Sequence, residues 1–434
     1  MRRISARGLI ALIALVAAAL APVGASVAGP AGSSPPKNVI LFIVDGMGPE
    51  QIALGRAMKG SPLFVDGIPW QTKGTLDTDS LEGVTDSAAG ATALASGAET
   101  NNGWLGMVPT SGGGARSVPT ALERAEANGK ATGLVSDSYI TDATPAAFSA
   151  HVTSRSETTE IARQTAQQGI EFLFGGGRRQ GSVGPLLDRP GVTYVRNTRE
   201  MNAYVNGGGA GPVYGFFGSW NMAYNLDRDD EGVTRTEPTL PQMTSAALSV
   251  LSKDQDGFFL MVEGGLVDWG GHARDAASMG VEMIETDEAV KTAYDWAKNR
   301  TDTLIVFTAD HETGDFDMTG QTDVAKLRRQ TATTEYMWGL IKTGSPIRGT
   351  VRTYTGIDPT SAEIATIQRC GEHGISDVLS SRAKVTWNGT CTQEGDHTST
   401  FVPVWGWGPG HADFAGSGSE NELVGPRLLA YSGG

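Results

Sequence analysis

The chain has 434 residues, of which 58 are glycine and 19% are charged. This composition is typical of a loop-rich globular protein with a large core, and it excludes a disordered or fibrous chain. The formal net charge of −14 argues against nucleic acid or an anionic membrane as a main partner, although a local cluster of cations can still hold an anionic substrate.

The N-terminal residues 1–28 have the pattern of a secretory signal peptide. Arginines precede an apolar run from Leu9 to Ala21, and small residues follow, so we predict cleavage after Ala25 or Ala28. Removing this segment takes away three arginines, which lowers the formal net charge to about −17 and leaves a flexible leader over 29–37. The run is too short for a membrane span, and no later stretch approaches about 20 apolar residues. The sequence therefore predicts a secreted or periplasmic protein.

Six apolar runs end in polar residues or glycine, as the strands of a buried sheet do. They are NVILFIVDG, ATGLVSDS, EFLFGGG, FFLMVEGG, TLIVFTADH and VPVWGWGPG. Helical patterns alternate with them at 119–130, 239–253 and 279–300. This alternation predicts an α/β fold, a three-layer sandwich in which helices cover both faces of a central, largely parallel sheet.

Titratable side chains fall at the ends of these predicted strands. They are Asp45, Asp137, Glu263, Asp310 and His311. The carboxyl ends of parallel strands form the ligand-binding edge of such a sheet, so we expect a site there.

The stretch from 84 to 100 places Asp86 and Ser87 ahead of an uncharged run of small residues. The run predicts a buried helix with Ser87 in its first turn, where free backbone N–H groups and the helix dipole attract an anion. The alternative is that the Asp-Ser pair only caps the helix, and this stretch alone favours that simpler explanation.

The motif DATPAAFSAHVTSR offers oxygen ligands and a guanidinium. Asp142 and Thr144 suit a hard cation, and Arg155 suits bidentate contact with phosphate. His151 lies in the same motif, and we favour a buried structural histidine over a ligand there.

Three further residues complete a candidate metal cluster. VDWGGH places Asp268 and His272 four residues apart, on one face of a helix or turn, and GDHTS offers His397. Each residue alone is usually structural, but a cluster of acids and imidazoles at strand ends around a serine implies bound cations, because unpaired buried carboxylates are costly. Mixed nitrogen and oxygen ligands suit zinc, and a set of oxygens alone suits magnesium.

The tract over 319–396 differs from the rest in its weak periodicity, and we interpret it as an inserted cap beside the mouth of the site. It contains Cys370 and Cys391, the only cysteines of the chain. In an exported protein this pair predicts one structural disulfide rather than a metal site.

The motifs DGMG, TDSAAGATA, DATPAAFSAHVTSR, VEGGLVDWGGH, TADHE and GDHTS, from about Asn38 to Gly410, together resemble the alkaline phosphatase family of metal-dependent phosphomonoesterases. The resemblance implies one catalytic domain over 38–434, with the cap region inside it. It also implies hydrolysis of small-molecule phosphate monoesters through a phosphoserine on Ser87. The family is often dimeric, which makes a homodimer one assembly to test, although the cap tract shows no interface pattern.

The resemblance further implies two zinc ions and one magnesium ion. The implied ligands are Asp268, His272 and His397 for the first zinc, Asp310, His311 and a shared Asp45 for the second, and Asp45, Thr144 and Glu263 for magnesium, with Asp142 holding a magnesium-bound water. Arg155 resembles the residue that clamps the phosphate. At Trp269 the family varies among Lys, His and Trp, so this residue either affects how phosphate is held or simply packs over the zinc loop.

Two alternatives belong to other functional classes. A phosphodiesterase or sulfatase of the same superfamily would usually carry a threonine nucleophile or a distinct modification motif, respectively. A non-catalytic secreted protein that binds metal or phosphate would show gaps in the catalytic set. Ser87 after Asp86, with the full ligand set, favours the monoesterase.

Overall fold

The structure is a computed structural model of the chain and describes residues 35–179, 183–233, 236–416 and 418–433. The predicted signal peptide and the leader up to residue 34 lie outside the described residues. Within these ranges, no helix combines the length and the apolar character that crossing a bilayer requires.

The strands and helices alternate along most of the chain. The strands are β1 (Asn38–Ile43), β2 (Thr72–Asp77), β3 (Asp79–Ser80), β4 (Gly83–Val84), β5 (Met107–Pro109), β6 (Ala115–Ser117), β7 (Ala131–Tyr139), β8 (Phe172–Gly176), β9 (Thr193–Val195), β10 (Val213–Phe216), β11 (Phe258–Glu263), β12 (Thr303–Thr308), β13 (Glu312–Thr313), β14 (Asp317–Met318), β15 (Val385–Thr386), β16 (His397–Thr398), β17 (Val402–Trp407) and β18 (Ser419–Glu420). The helices are α1 (Pro49–Lys59), α2 (Phe64–Gly67), α3 (Ser87–Ser96), α4 (Ala121–Ala127), α5 (Ala143–Ala146), α6 (Thr158–Thr165), α7 (Gly184–Leu187), α8 (Thr198–Asn206), α9 (Leu240–Leu251), α10 (Leu266–His272), α11 (Ala276–Ala297), α12 (Val324–Leu327), α13 (Thr334–Lys342), α14 (Ile347–Thr355), α15 (Ser361–Cys370), α16 (Glu372–Ala383) and α17 (Val424–Ser432).

A ten-stranded sheet forms the centre of the fold, in the order β18-β2-β17-β12-β1-β11-β7-β8-β10-β9. All of its described pairings are parallel except those that β17 makes with β12 and β2. The central strands β1, β11 and β12 are buried along their whole length, which explains their continuous apolar sequence. The predicted α/β sandwich with a largely parallel sheet is confirmed.

The predicted helices are found where their sequence patterns lie. The patterns at 119–130, 239–253 and 279–300 correspond to α4, α9 and α11, and the first two helices begin with a threonine cap and a capping box. The uncharged run after Asp86 forms α3, whose ten residues are all buried, as predicted.

The tract over 319–396 contains α12 to α16, a series of helices that its weak sequence periodicity did not predict. These helices have a small hydrophobic cluster of their own, formed by Ala332, Met337, Val351, Ile367, Ile375, Val378 and Leu379. The predicted disulfide is confirmed: Cys370 at the end of α15 is bonded to Cys391, with their Cα atoms 5.2 Å apart.

Candidate active site

The register of the central strands brings three chain segments to one edge of the sheet. Ile43 at the end of β1 lies beside Glu263 at the end of β11 and beside Thr308 at the end of β12. The residues that follow these strands therefore meet, although β1 lies more than 200 positions before β11 and β12. Asp45, Glu263, Asp310 and His311 are all buried there.

Ser87 lies in the first turn of α3, directly after its N-cap. Asp86 caps the helix by accepting from the Ala89 N–H at 3.0 Å, and the Ser87 Oγ lies 3.2 Å from His311 Nε2. A Cβ atom added at Gly90 would lie 3.0 Å from the Asp310 carbonyl oxygen. The small residues of α3 thus let the serine helix pack directly against the strand end that carries Asp310 and His311.

Asp268, His272 and His397 form one group of candidate ligands. His272 Nε2 lies 3.3 Å from Asp268 Oδ2 and 3.2 Å from His397 Nε2. The Nδ1 atoms of the two imidazoles are bonded to backbone carbonyls, at 2.6 Å to Gly395 and 2.9 Å to Thr85. Fixing Nδ1 in this way leaves Nε2 of each ring for a common ligand.

Asp45, Asp310 and His311 form a second group. One potential ligand atom from each lies within 4.8 Å of the others, and the same holds for Asp268, His311 and His397. His311 Nε2 lies 3.5 Å from Asp45 Oδ1 and 3.5 Å from Asp310 Oδ2. Within the described part of the chain, these two buried oxygens have no hydrogen-bond partner. Buried carboxylate oxygens without a donor, next to imidazole nitrogens, fit divalent cations.

Burial and mutual repulsion shift the pKa values of the carboxylates in this site. Burial, and then repulsion from Asp310, raises the pKa of Asp45 well above its usual value. Burial, and then repulsion from Asp268, raises the pKa of Asp310 to about 7. Burial, and then His397, lowers the pKa of His311, which keeps the ring beside Ser87 neutral. A neutral imidazole among crowded carboxylates is the state in which such residues bind metal.

A third set of oxygen groups adjoins Asp45. Thr144 donates its hydroxyl to Asp45 Oδ2 at 3.2 Å, and Glu263 accepts a short hydrogen bond from Ser136. Burial, and then repulsion from Asp142, raises the pKa of Glu263. These side chains supply oxygen ligands alone, the donor type that magnesium prefers.

Arg155 lies across the front of this cluster. Its Nη1 lies 3.2 Å from Asp86 Oδ2 and its Nη2 lies 3.0 Å from Asp142 Oδ1, while a third of the side chain remains exposed. Burial opposes the charge, but Asp142 and then Asp86 raise the pKa of Arg155, so the guanidinium stays charged. The two carboxylates orient this cation beside Ser87.

The site opens into a cavity of about 810 Å³. Its lining includes Ser87, Arg155, Asp142, Asp268, His272 and His397, and also Trp269, whose side chain is 38% exposed. The ring of Trp269 meets that of Tyr139 edge-on, with centroids 6.5 Å apart. Trp269 therefore packs against Tyr139 and also lines the cavity, and its effect on phosphate binding stays a prediction.

His151 lies outside the cluster. Its Nε2 lies 2.7 Å from Glu123 Oε1 and its Nδ1 lies 2.8 Å from the Gly106 carbonyl oxygen. Both ring nitrogens are thereby satisfied, which agrees with the structural role favoured from the sequence.

The sequence did not indicate Thr313 or the role of Asp137. The Thr313 hydroxyl makes a short bond to Asp268 and lies 3.2 Å from His311 Nδ1, so it joins the two imidazole groups. Asp137 Oδ1 accepts from the Gly265 and Leu266 N–H groups at 2.6 and 3.1 Å, which anchors the start of α10. Thr313 comes directly after TADHE, and that position is the only signal in the sequence that could have revealed it.

Comparison with known proteins gives a consistent result. The family model described as alkaline phosphatase matches residues 36–430. Alkaline phosphatase 3 of Bacillus subtilis is 32% identical over 422 residues, which cover 89% of this chain and 87% of that protein.

Solved structures show the same likeness. A cold-active alkaline phosphatase from a Shewanella species has a TM-score of 0.79 at 26% identity, over 90% of this chain and 98% of that one. A mutant of TAB5 alkaline phosphatase, with Mg bound in its M3 site, has a TM-score of 0.67 at 27% identity, over 92% and 99%. The chain therefore belongs to the alkaline phosphatase family and is a phosphoric monoester hydrolase.

Proposed function

We propose that this protein converts phosphate monoesters to an alcohol and inorganic phosphate through a phosphoserine on Ser87. The observation that carries the proposal is the position of the Ser87 hydroxyl. It lies 3.2 Å from His311 Nε2, within a group of residues suited to divalent cations and beside a charged Arg155.

We assign two zinc ions and one magnesium ion to the three groups of side chains. Asp268, His272 and His397 would hold one zinc ion, and Asp45, Asp310 and His311 would hold the other. Asp45, Thr144 and Glu263 would hold magnesium, with Asp142 contributing through water. The partnerless oxygens of Asp45 and Asp310 support the second set, and the Mg in the M3 site of the TAB5 mutant supports the third.

The chain's own residues position the phosphoryl group. Arg155 lines the cavity, and a guanidinium can hold two phosphate oxygens. The N-terminal turn of α3 adds backbone N–H groups and the positive end of the helix dipole. Divalent cations in the two imidazole groups would neutralise the phosphate charge and make the Ser87 oxygen a stronger nucleophile.

The reaction proceeds in two displacements. The Ser87 oxygen forms a bond to phosphorus as the ester P–O bond breaks, and the alcohol leaves after taking a proton. Water then attacks the phosphoserine, which releases inorganic phosphate and restores the Ser87 hydroxyl. Because Arg155 contacts the phosphoryl oxygens in both displacements, its main effect is to position the group that is transferred.

A comparison of ester classes tests the proposed function. Purified protein should hydrolyse p-nitrophenyl phosphate much faster than bis-p-nitrophenyl phosphate or p-nitrophenyl sulfate, and a chelator should abolish the activity. A dominant diester or sulfate rate would assign the chain to the other branches of its superfamily. Chelator-insensitive hydrolysis would contradict the assigned cations, and a protein that binds zinc without hydrolysing any ester would be the non-catalytic alternative.

Three further assignments belong to the same proposal. Residues 319–396 form a cap within a catalytic domain over 38–434, which their own hydrophobic cluster supports. The mature protein is secreted or periplasmic, which the disulfide supports. The homodimer stays a prediction, and sedimentation equilibrium of the purified chain tests it.

A further inference from the structure

A second cavity, of about 890 Å³, adjoins the active-site cavity. The two share four lining residues, Tyr139, Tyr224, Trp269 and Glu335, so they meet at these side chains. We call the second cavity the outer cleft. Ser87 and Arg155 line the active-site cavity. The outer cleft extends from Trp269 toward Trp220 and Tyr336.

Aromatic rings wall the outer cleft. Trp220 is 64% exposed and Trp269 is 38% exposed, and Tyr139, Tyr224 and Tyr336 line the same space. No ring of the described residues makes an aromatic pair with Trp220, which is largely exposed and lines the cleft. A single exposed aromatic is ordinary, but several around one cleft beside a reactive group form a surface suited to a planar ring.

The loop that carries Trp220 is fixed to the sheet. Asn221 Oδ1 accepts from the Tyr139 N–H at 3.2 Å, and the Met222 N–H donates to the Asp137 carbonyl oxygen at 2.9 Å. The Trp220 carbonyl also approaches Gly176 closely, since a Cβ there would lie 2.1 Å from its oxygen. These contacts fix the backbone that carries the Trp220 indole, so less conformational entropy is lost when a ligand stacks on the ring.

The charge of the outer cleft is mostly negative. Its lining includes Glu231, Glu237 and Glu335, and also Asp227, whose pKa burial raises to about 7 so that it is ionised only above that pH, against one guanidinium, Arg178. A leaving group with a second negative charge would be repelled there, whereas a neutral or cationic one would not.

The phosphomonoesterase reaction explains why a substrate would extend into this space. The phosphoryl group is held between Ser87 and Arg155, and in-line displacement places the departing alcohol on the side of phosphorus away from the Ser87 oxygen. Ser87 is buried, so the alcohol is directed away from it toward the open side of the cavity, whose lining includes Tyr139 and the more exposed Trp269. Contacts made there can contribute to transition-state binding.

On this basis, and resting on the function proposed above, we infer that the outer cleft binds the alcohol part of the substrate and selects aromatic alcohols without a negative charge of their own. Trp220 and Trp269 supply the stacking surface, and the carboxylates exclude anionic groups.

A matched pair of substrates tests the aromatic preference. Benzyl phosphate and cyclohexylmethyl phosphate release primary alcohols of similar size, and comparing their kcat/KM ratio between wild type and variants removes the effect of the phenyl group on alcohol acidity. We expect wild type to prefer benzyl phosphate by about 5-fold, since aromatic pairing exceeds simple burial by that order. Competitive inhibition by benzylphosphonate and cyclohexylmethylphosphonate should show the same preference without turnover.

The variant Trp220→Ala should reduce this preference to below about 2-fold. Trp220 lies on a loop distant in sequence from every proposed ligand, and inhibition by inorganic phosphate should stay unchanged. Phe401→Ala is the matched control, because Phe401 is another exposed aromatic, 47% accessible, that does not line either cavity. It should keep the wild-type preference.

Charge selection is tested with two para-substituted benzyl phosphates. 4-(Aminomethyl)benzyl phosphate should be used better than 4-carboxybenzyl phosphate, and Glu335→Gln should reduce that ratio by about 2-fold. Equal kcat/KM for the benzyl and cyclohexylmethyl esters, or an unchanged ratio in Trp220→Ala, would overturn the inference while leaving the phosphatase intact. Failure to hydrolyse any of the monoesters would instead reject the proposed function, and the inference with it.

Discussion

Thr313 is the residue through which the two imidazole groups of the site are joined. It is completely buried, and its hydroxyl bonds to Asp268 and lies 3.2 Å from His311 Nδ1. The pairing of β13 with β16 also sets Thr313 opposite His397. Replacing Thr313 with Val keeps the branched shape and removes only the hydroxyl, so the variant isolates these hydrogen bonds.

The expected magnitude follows from the two bonds that are lost. A hydrogen bond to a charged group contributes about 1.5–3 kcal/mol, and the bond to Asp268 is of this kind. The longer contact with His311 adds less. Partners that orient metal ligands typically change metal affinity by about 10- to 100-fold, which agrees with this free energy. Thr313→Val should therefore weaken zinc binding by about 30-fold, and kcat should fall because Asp268 and His311 lose their common anchor.

Competition between the protein and a zinc chelator measures this effect without relying on turnover. Thr244→Val is the matched control, since Thr244 is also fully buried and its hydroxyl donates to the Leu240 carbonyl at 2.8 Å within α9. Both variants should lower the free energy of unfolding of the metal-free protein, Thr313→Val more because its bond is to a charged group, but only Thr313→Val should lose zinc affinity. Equal zinc affinity in the two variants would refute the reasoning.

Three further changes probe other parts of the site and fold. Ser87→Ala should lower kcat by at least about 10³-fold while zinc binding stays intact, and unchanged turnover would contradict the nucleophile. Arg155→Lys should raise KM and weaken inhibition by phosphate by about 10-fold, because Lys cannot make the bidentate contact. An unchanged KM would contradict the role of Arg155 in holding phosphate. Burial raises the pKa of Asp227 to about 7, so its protonated form stabilises the fold at low pH and that contribution is lost as the pH rises through 7. Asp227→Asn should flatten the dependence of the urea midpoint on pH between 5 and 8, and an unchanged slope would show that another group is responsible.

The sheet and its ligand-bearing edge could be predicted because both follow from local patterns. Fully apolar runs such as NVILFI indicate strands buried on both faces, and their alternation with helices determines that the sheet is largely parallel. Once the strands are parallel, Asp45, Glu263 and Asp310 must lie at the same edge, whatever their separation in sequence. Residues that act from strand ends are therefore accessible to sequence reasoning.

The features that could not be predicted depend on contacts between distant segments. Thr313 is one of many threonines in the chain, and only the fold shows that it faces Asp268. The helices of the cap bury few residues each; α15 buries Ile367 alone, so little of its sequence is constrained to be apolar. Trp220 follows a glycine and a serine in a loop, and nothing in the sequence indicates that it lines the outer cleft.

The distance between Ser87 and the ligand groups depends on two glycines, because neither position has room for a side chain. At Gly90 a Cβ would press on the Asp310 carbonyl at 3.0 Å, and at Gly46, which has a φ of +75°, it would lie 2.8 Å from the Asp268 Cα. The first glycine fixes how closely the serine helix approaches the end of β12, and the second fixes how closely the end of β1 approaches α10. Both are steric constraints imposed by backbone and neighbouring carbon atoms, which cannot move aside as the end of a flexible side chain can. A methyl group at either position should therefore disturb the cluster more than the loss of many surface charges, because the reaction requires Ser87 and the cation ligands to lie within a few ångströms of one phosphoryl group.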